Sequence, residues 1–138
     1  AQEVAQTCAP EDIVIAADTI VYLDGVILGK PKDTADAARM LAALSGREHT
    51  VYTGVAVLRG GETRLAAEHT AVRFRTLTPE EITRYIATGE PMDKAGAYGI
   101  QGRGALFVAH LDGDYFNVMG LPLCRLGQLL NELGVELL

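Results

Sequence analysis

A single apolar run early in the chain constrains the fold more than any other feature. Residues 14–21 read VIAADTIV, so β-branched and small side chains continue without regular polar alternation. Such a run is typical of a strand that is buried on both faces of a sheet. Only one carboxylate, Asp18, and one hydroxyl, Thr19, interrupt it. We therefore expect Asp18 at the carboxyl end of a buried strand, where open α/β sheets usually bind their ligands.

Three later segments carry helix signals. Asp33 or Thr34 can cap a helix whose apolar residues recur at helical spacing. Thr78 and Glu81 have the spacing of a capping box and predict the start of a second helix. A third helix is predicted after Pro122, because leucines follow it at positions that share one helical face.

Strand signals fill much of the remaining chain. Residues 50–58 and 63–77 flank a Gly-Gly turn, which predicts a long β-hairpin. A second hairpin is predicted around the Asp-Gly-Asp turn at 112–114, with residues 115–119 as its return strand. There is no repeat or linker. These signals predict one α/β domain over residues 1–138, built as a mixed twisted sheet with flanking helices.

Composition limits the classes of function. With 138 residues, of which 49% are hydrophobic, the chain can bury one core. Its formal charge of -6 argues against a surface that binds a nucleic acid polymer, since counterion release needs a basic face. No apolar run is long enough to cross a bilayer, so no membrane partner is expected.

The start of the chain and its cysteines suggest a cellular context. The first residues lack the basic and then apolar layout of a signal peptide, so the cytoplasm is the expected location. The chain begins at Ala1 and reads like the end of a helix, so we expect a segment upstream of it. Cys8 and Cys124 lie far apart without metal-ligand spacing, and we interpret both as reduced, buried thiols.

Two glycine-rich segments carry the other candidate site residues. Lys30 lies between Gly29 and Pro31, where a missing side chain would let an anionic group approach the backbone. The segment is not a P-loop, because its glycine spacing is short and a proline follows the lysine. Gln101 could offer a donor and an acceptor to a base or sugar edge. Lys94 lies in the same segment and could add positive charge.

Other polar residues have structural explanations. Asp112 and Asp114 suit a hairpin turn, and Glu80 suits a helix N-terminus. The three histidines fall in predicted strands without partner spacing, which favours packing roles. We assign none of these residues to a site.

The motifs together resemble the Maf family of nucleotide pyrophosphatases. The stretches AADTIV, GVILGKPKDTADAARMLAALSGREHTVYTGVAV, DKAGAYGIQGRGALFV and GDYFNVMGLPL follow the order of that family and cover nearly all of the chain. The resemblance implies a fold related to the inosine triphosphatases. It also implies hydrolysis of a nucleoside triphosphate to the monophosphate and pyrophosphate, with a divalent cation such as Mg²⁺ or Mn²⁺.

The resemblance also assigns roles to individual residues. It implies that Asp18 is the proton acceptor and that Lys30 and Gln101 belong to the active site. Thr19 with Gln101 marks the branch that acts on dTTP and UTP. Asp18 could equally be a metal ligand, since Mg²⁺ takes one or two carboxylates and keeps several waters. Lys94 is a further candidate for binding the substrate.

The resemblance has one departure and leaves alternatives. The family's N-terminal Ser-x-Ser-Pro-Arg-Arg loop has no match in the sequence, so we expect an N-terminally truncated Maf-like domain. A non-catalytic nucleotide-binding or regulatory protein linked to arrest of cell division is the alternative. A purine-directed enzyme of the inosine triphosphatase type is disfavoured by Thr19 and Gln101. Family members commonly form homodimers, so a second copy is an expected partner.

Overall fold

A five-stranded sheet forms the centre of the computed structural model, which describes residues 1–138. The strands are β1 (Ile13–Leu23), β2 (Val26–Leu28), β3 (Glu48–Arg59), β4 (Glu62–Phe74) and β5 (Val108–Asp112). Their order across the sheet is β2-β1-β3-β4-β5, and every pairing is antiparallel. The predicted single α/β domain with flanking helices is confirmed. The sheet is antiparallel throughout where a mixed one was expected, and hairpins join two of its four neighbouring strand pairs, β1 with β2 and β3 with β4.

Asp18 lies in the middle of β1, so its predicted position at a strand end is wrong. The pairing of β1 with β3 continues from Ile13 opposite Arg59 to Tyr22 opposite Thr50, and Asp18 faces Gly54 within it. The carboxylate does not end the strand because backbone hydrogen bonds to β3 are satisfied on both sides of it.

The expected burial of β1 on both faces is also wrong. Tyr22 and Tyr52 lie on the face opposite that of Val51, and they are 39% and 38% exposed. Helices cover only one face of the sheet, on which alternate residues of β3 from His49 to Val57 are buried. An antiparallel sheet can leave its other face open, which apolar composition alone does not reveal.

Five α-helices accompany the sheet: α1 (Gln2–Ala5), α2 (Thr34–Leu44), α3 (Pro79–Ala87), α4 (Tyr115–Met119) and α5 (Leu123–Glu132). Asp33 caps α2 by accepting a hydrogen bond from the Asp36 amide at 2.7 Å, as the sequence predicts. The capping box of Thr78 and Glu81 is confirmed at the start of α3. None of the helices is long and apolar enough to cross a membrane.

The second predicted hairpin is wrong beyond its first strand. Residues 115–119 form α4, because the carboxylate of Asp114 accepts a hydrogen bond from the Phe116 amide at 2.8 Å and caps a helix. The helix is held to the sheet by Asn117, whose side-chain amide donates to the Val51 carbonyl at 3.1 Å and to Thr70 Oγ1 at 2.8 Å. This buried amide decides the outcome over the β-propensity of its neighbours.

The core has two parts on the covered face. The larger part packs α2 and α3 against Val51, Val72 and Phe74 of the sheet. The smaller part packs α5 against Val55 and Val57. A space remains between the two parts, opposite the middle of β1. Both cysteines are free, but Cys124 is exposed and Cys8 is half-buried, so the expectation of buried thiols is wrong.

Candidate active site

One cleft of about 300 Å³ is bordered by every candidate site residue. These residues are Asp18, Thr19, Lys30, Lys94 and Gln101. They come from three separate segments of the chain, so the sheet and the loops that cover it bring them together. The volume lies at the lower end of the range for small-molecule sites.

Thr19 is held on the cleft by a chain of hydroxyl groups. Thr19 Oγ1 lies 2.8 Å from Thr53 Oγ1, and the Thr53 hydroxyl donates to the backbone carbonyl of Asn117 at 3.0 Å. A hydroxyl has one proton, and a carbonyl can only accept. The single hydroxyl proton of Thr53 is therefore donated to Asn117. Thr53 can then only accept from Thr19, so the Thr19 hydroxyl donates to Thr53. The remaining lone pairs of Thr19 are acceptors, so this residue offers an acceptor to a ligand in the cleft.

Asp18 borders the cleft from a different direction. Side chains alternate along a strand, so Asp18 belongs to the face opposite that of Thr19. It also borders a shallow cleft on the open face, where Gly54 and Leu65 are neighbours. The side chain is exposed, and Gly54 opposite it has no side chain to cover it. Asp18 thus borders both the main cleft and the shallow cleft on the open face. It is the single carboxylate on the main cleft.

Lys30 is brought to the cleft by a link between two loops. The Gly96 amide donates to the Gly29 carbonyl at 3.1 Å, which ties the segment after β2 to the loop that follows α3. Gly96 has a φ of 72°, and a Cβ there would lie 2.9 Å from the side chain of Val21. A residue other than glycine would separate the loop from β1, so this glycine permits the close approach.

Lys94 lies across the cleft beside an acidic neighbour. Its Nζ is 2.9 Å from Asp93 Oδ1, and the hydrogen bond and charge of Lys94 hold the pKa of Asp93 below its ordinary value. The side chain of Lys94 also packs over Gly99, where a Cβ would lie 2.6 Å from Lys94 Cε. Two lysines and one carboxylate make the cleft suitable for an anionic ligand.

Gln101 is exposed at the tip of the loop formed by residues 98–104, which we call the Gln101 loop. Its side chain forms no hydrogen bond with the protein, so both ends of the amide are available to a ligand. Arg103 belongs to the same loop but lines another cleft, of about 220 Å³, with Arg75 and Glu81. Sequence proximity therefore does not bring Arg103 to the main cleft.

Behind the cleft, His49 connects the sheet to the Gln101 loop. His49 Nε2 is 2.7 Å from the Tyr98 hydroxyl, and its ring packs edge-on against Phe74 with centroids 5.1 Å apart. Burial lowers the pKa of His49 to about 4, so the ring is neutral at pH 7. Its packing role agrees with the sequence interpretation of the histidines.

The sequence reasoning did not single out Thr53, Asn117, Tyr85 or Glu90, all of which support the cleft residues. One signal was available for Asn117, a polar amide inside an otherwise apolar segment. The structure has no cluster of three or more His, Cys, Asp or Glu side chains arranged to hold a metal ion. Asp112 ends β5 and Asp114 caps α4, so the hairpin turn that the sequence predicts for this pair is wrong, although neither residue lines the cleft.

Comparison with known proteins identifies related chains. The family described as "Maf-like protein" matches residues 1–133. A dTTP/UTP pyrophosphatase of Moorella thermoacetica is 60% identical over 126 residues, which cover 90% of this chain and 65% of that protein. One from Symbiobacterium thermophilum is 58% identical over 125 residues, or 91% of this chain and 64% of the relative. One from Clostridium novyi is 52% identical over 139 residues, or 99% of this chain and 73% of the relative. The chain thus spans about two thirds of the length of the first two relatives.

Proposed function

The chain belongs to the Maf-like protein family, and from this premise we propose that it hydrolyses dTTP and UTP to the nucleoside monophosphate and pyrophosphate. The observation that carries the proposal is the meeting of Asp18, Thr19, Lys30, Lys94 and Gln101 at one cleft. Relatives that are 52% to 60% identical bear the name dTTP/UTP pyrophosphatase, which supports the substrate class.

The lysines and the carboxylate would divide the work of hydrolysis. Lys30 and Lys94 neutralise the phosphate oxygens, as lysine ammonium groups do at many phosphate sites. Asp18 orients a water molecule and accepts its proton as the water oxygen bonds to the α-phosphorus. The bond from the α-phosphorus to the bridging oxygen breaks, and pyrophosphate leaves with the electron pair. General base catalysis of this kind typically contributes about 10²–10⁴-fold in rate.

A divalent cation, Mg²⁺ or Mn²⁺, fits this donor set in one way. Asp18 is the single carboxylate on the cleft, and no cluster of three acidic or histidine ligands exists. Mg²⁺ is often bound by one or two carboxylates together with phosphate oxygens and water, so Asp18 could hold it alongside the substrate. When bound there, such an ion would neutralise charge on the phosphate oxygens. Asp18 therefore has two proposed roles, proton acceptor and metal ligand.

Thr19 and Gln101 would recognise the nucleobase through hydrogen bonds. Thymine and uracil present an N–H donor between two carbonyl acceptors. The lone pairs of Thr19 match a donor, and the free amide of Gln101 matches either group. Cytosine presents an acceptor at the ring nitrogen, which would face the acceptor of Thr19. A site that leaves such groups unpaired rejects the wrong base more strongly than a site that only fits its shape.

The proposal includes partners and location. We propose free nucleotides as the substrate and not a nucleic acid polymer, which the formal charge of -6 supports. A homodimer without a membrane partner, acting in the cytoplasm, completes the proposal. Light scattering at several protein concentrations would test the dimer.

The test is pyrophosphate release from each common nucleoside triphosphate with Mg²⁺ or Mn²⁺. We expect dTTP and UTP to be cleaved, and Asp18→Asn to reduce kcat by about 10²–10⁴-fold, because the amide can neither accept the proton nor replace the charge. Asp112→Asn is the matched control, since Asp112 is an exposed residue at the end of β5. Binding of dTTP or UTP without any pyrophosphate release would contradict the enzyme and favour the non-catalytic nucleotide-binding alternative.

A further inference from the structure

Glu90 lies outside the cleft, yet its carboxylate accepts hydrogen bonds from two backbone amides of the Gln101 loop and from Tyr85. Glu90 Oε1 accepts a hydrogen bond from the Arg103 amide at 2.9 Å. Glu90 Oε2 accepts from the Gly104 amide at 3.0 Å and from the Tyr85 hydroxyl. Three donors therefore converge on one side chain that carries no ion pair and does not line the cleft.

Tyr85 extends the same arrangement to the other end of the loop. Its hydroxyl donates to Glu90 and accepts from the Gly99 amide at 3.1 Å. The Tyr85 ring is buried, 4% exposed, and packs edge-on against Phe107 with centroids 4.8 Å apart. The position of the Tyr85 side chain is therefore fixed by packing. Glu90 and Tyr85 together hold the backbone on both sides of Gln101, and we call them the loop clamp.

The glycines of the Gln101 loop are needed for the clamp. A Cβ on Gly102 would overlap the Glu90 carboxylate. A Cβ on Gly104 would lie 2.5 Å from the Gly99 carbonyl oxygen and 2.9 Å from the Tyr85 hydroxyl. These glycines let the loop close onto Glu90 and Tyr85, which explains them without any ligand.

The protonation state of Glu90 suits three donors. Burial raises the pKa of Glu90, but hydrogen bonds from Tyr85 and from the Arg103 and Gly104 amides outweigh it and bring the pKa below its ordinary value. The side chain is thus an acceptor-only carboxylate at pH 7. Hydrogen bonds to an ionised acceptor are stronger than neutral ones, so the clamp resists loosening.

We propose that Glu90, acting with Tyr85, is a positioning residue that fixes the Gln101 loop and thereby sets discrimination between nucleobases. The inference rests on the proposed function, because it assumes that Gln101 meets the base. The Gln101 side chain has no partner in the protein, so only the backbone of the loop limits the region that its amide can reach. A loop released at Arg103 and Gly104 would present that amide in many positions, and a small misplacement weakens recognition strongly.

The first test measures the clamp without any nucleotide. Glu90→Gln keeps the shape of the side chain but presents an N–H₂ group to one of the backbone donors. We expect amide hydrogen exchange at Arg103 and Gly104 to accelerate about ten-fold or more. Tyr85→Phe should accelerate exchange at Gly99, and Glu136→Gln, an exposed residue near the chain end, should change nothing. Unchanged exchange at these amides in Glu90→Gln and Tyr85→Phe would overturn the inference.

The second test asks whether the clamp acts through Gln101. Equilibrium binding of α,β-methylene analogues of UTP and ATP gives a preference ratio that does not depend on hydrolysis. We expect Glu90→Gln to lower this ratio about ten-fold and to have little further effect when Gln101→Ala is already present. An equal loss with and without Gln101 would mean that Glu90 acts through general stability, which overturns the inference.

The two proposals fail in different ways. Cleavage of dTTP and UTP with unchanged base preference in Glu90→Gln would remove the positioning role and leave the proposed function intact. Binding that prefers the UTP analogue without cleavage in the wild type would remove the enzyme activity, while the preference ratio would still decide the role of Glu90. Thermal unfolding of each variant shows whether the domain itself remains folded.

Discussion

The two sides of the cleft present similar groups on different supports. On the strand side, Thr19 lies within β1 and Lys30 directly follows β2. On the loop side, Lys94 and Gln101 lie in a segment with only short 3₁₀ turns. Backbone hydrogen bonds hold the first pair, from β3 for Thr19 and from Gly96 to Gly29 beside Lys30. The side chains of Glu90 and Tyr85 instead hold the loop that carries Gln101. Position on the strand side is therefore secured by backbone hydrogen bonds, and position on the loop side by a few side-chain contacts.

The difference suggests where the molecule tolerates change. A residue within a strand loses little support when one side chain changes, because the backbone ladder to the neighbouring strand remains. A loop held by one carboxylate loses most of its support with one substitution.

In this comparison of the two sides, the largest effect is expected from the two lysines. Lys30 forms no ion pair, whereas Lys94 is bound to Asp93 at 2.9 Å, so the charge of Lys30 is the less compensated one. Lys30→Ala should reduce kcat/KM for pyrophosphate release about 10²–10³-fold. The reduction in Lys94→Ala should be about ten times smaller than the reduction in Lys30→Ala. Lys32→Ala is the control on an exposed lysine nearby. Equal losses at both lysines would show that the pairing with Asp93 does not weaken Lys94.

A substitution that breaks the loop side should come next. Gly104→Ala forces a Cβ to within 2.5 Å of the Gly99 carbonyl oxygen, which belongs to the backbone and cannot move aside easily. The free energy of unfolding should fall by about 1–3 kcal/mol, the usual cost of overpacking. Gly127→Ala in α5 has nothing within 4 Å of the new Cβ and should stabilise by about 0.5–1 kcal/mol. Chemical denaturation measures both, and equal effects would refute the steric argument.

The free energy of unfolding should depend on pH through His49 of β3, whose ring is hydrogen-bonded to Tyr98 of the Gln101 loop. Burial lowers the pKa of His49 to about 4, while the unfolded chain titrates near 6.5. Below pH 6.5 the unfolded state binds a proton that the folded state does not, so stability should be lost as the pH falls from about 6.5 to 4. The loss attributable to His49 should reach about 3 kcal/mol. His49→Gln should flatten the profile over this window, as followed by denaturation at each pH, and an identical slope would assign the dependence to other groups.

The smallest effect is expected from Thr53→Val on the strand side. The change removes the hydrogen bonds to Thr19 and to the Asn117 carbonyl but keeps the shape of the side chain. Stability should fall by about 1–2 kcal/mol, since one buried carbonyl loses its donor. The ratio of UTP to CTP cleavage should also fall, because Thr19 would be free to present its proton to the base. Thr50→Val, at a half-buried position of the same strand, is the control.

Local signals predicted α2, α3 and α5, and the caps at the starts of α2 and α3. Asp33, Thr78 and Glu81 act on amides within three residues of themselves, so their effect needs no distant partner. The hairpin at Gly60 and Gly61 is equally local, and both glycines have positive φ values of 56° and 84°. The meeting of Asp18, Lys30 and Gln101 was expected from the family resemblance and not from spacing.

Other features depend on distant partners. Residues 115–119 have strand-like composition, and they form α4 because Asp114 caps them and Asn117 bonds to two strands. The open face of β1 and the central position of Asp18 follow from pairing with β3, which apolar composition does not specify. The loop clamp joins residues 14 positions apart, from Glu90 to Gly104 and from Tyr85 to Gly99.

The sequence by itself determined the helix caps, the first hairpin, the family and the residue types that a phosphate-binding cleft requires. Only the tertiary structure decided which face of the sheet is covered, how the proton of Thr19 is directed, and what holds Gln101 in place. The physical reason is range. Capping and turn formation act over three or four residues, whereas burial and hydrogen bonding of side chains depend on segments that meet only after the chain has folded.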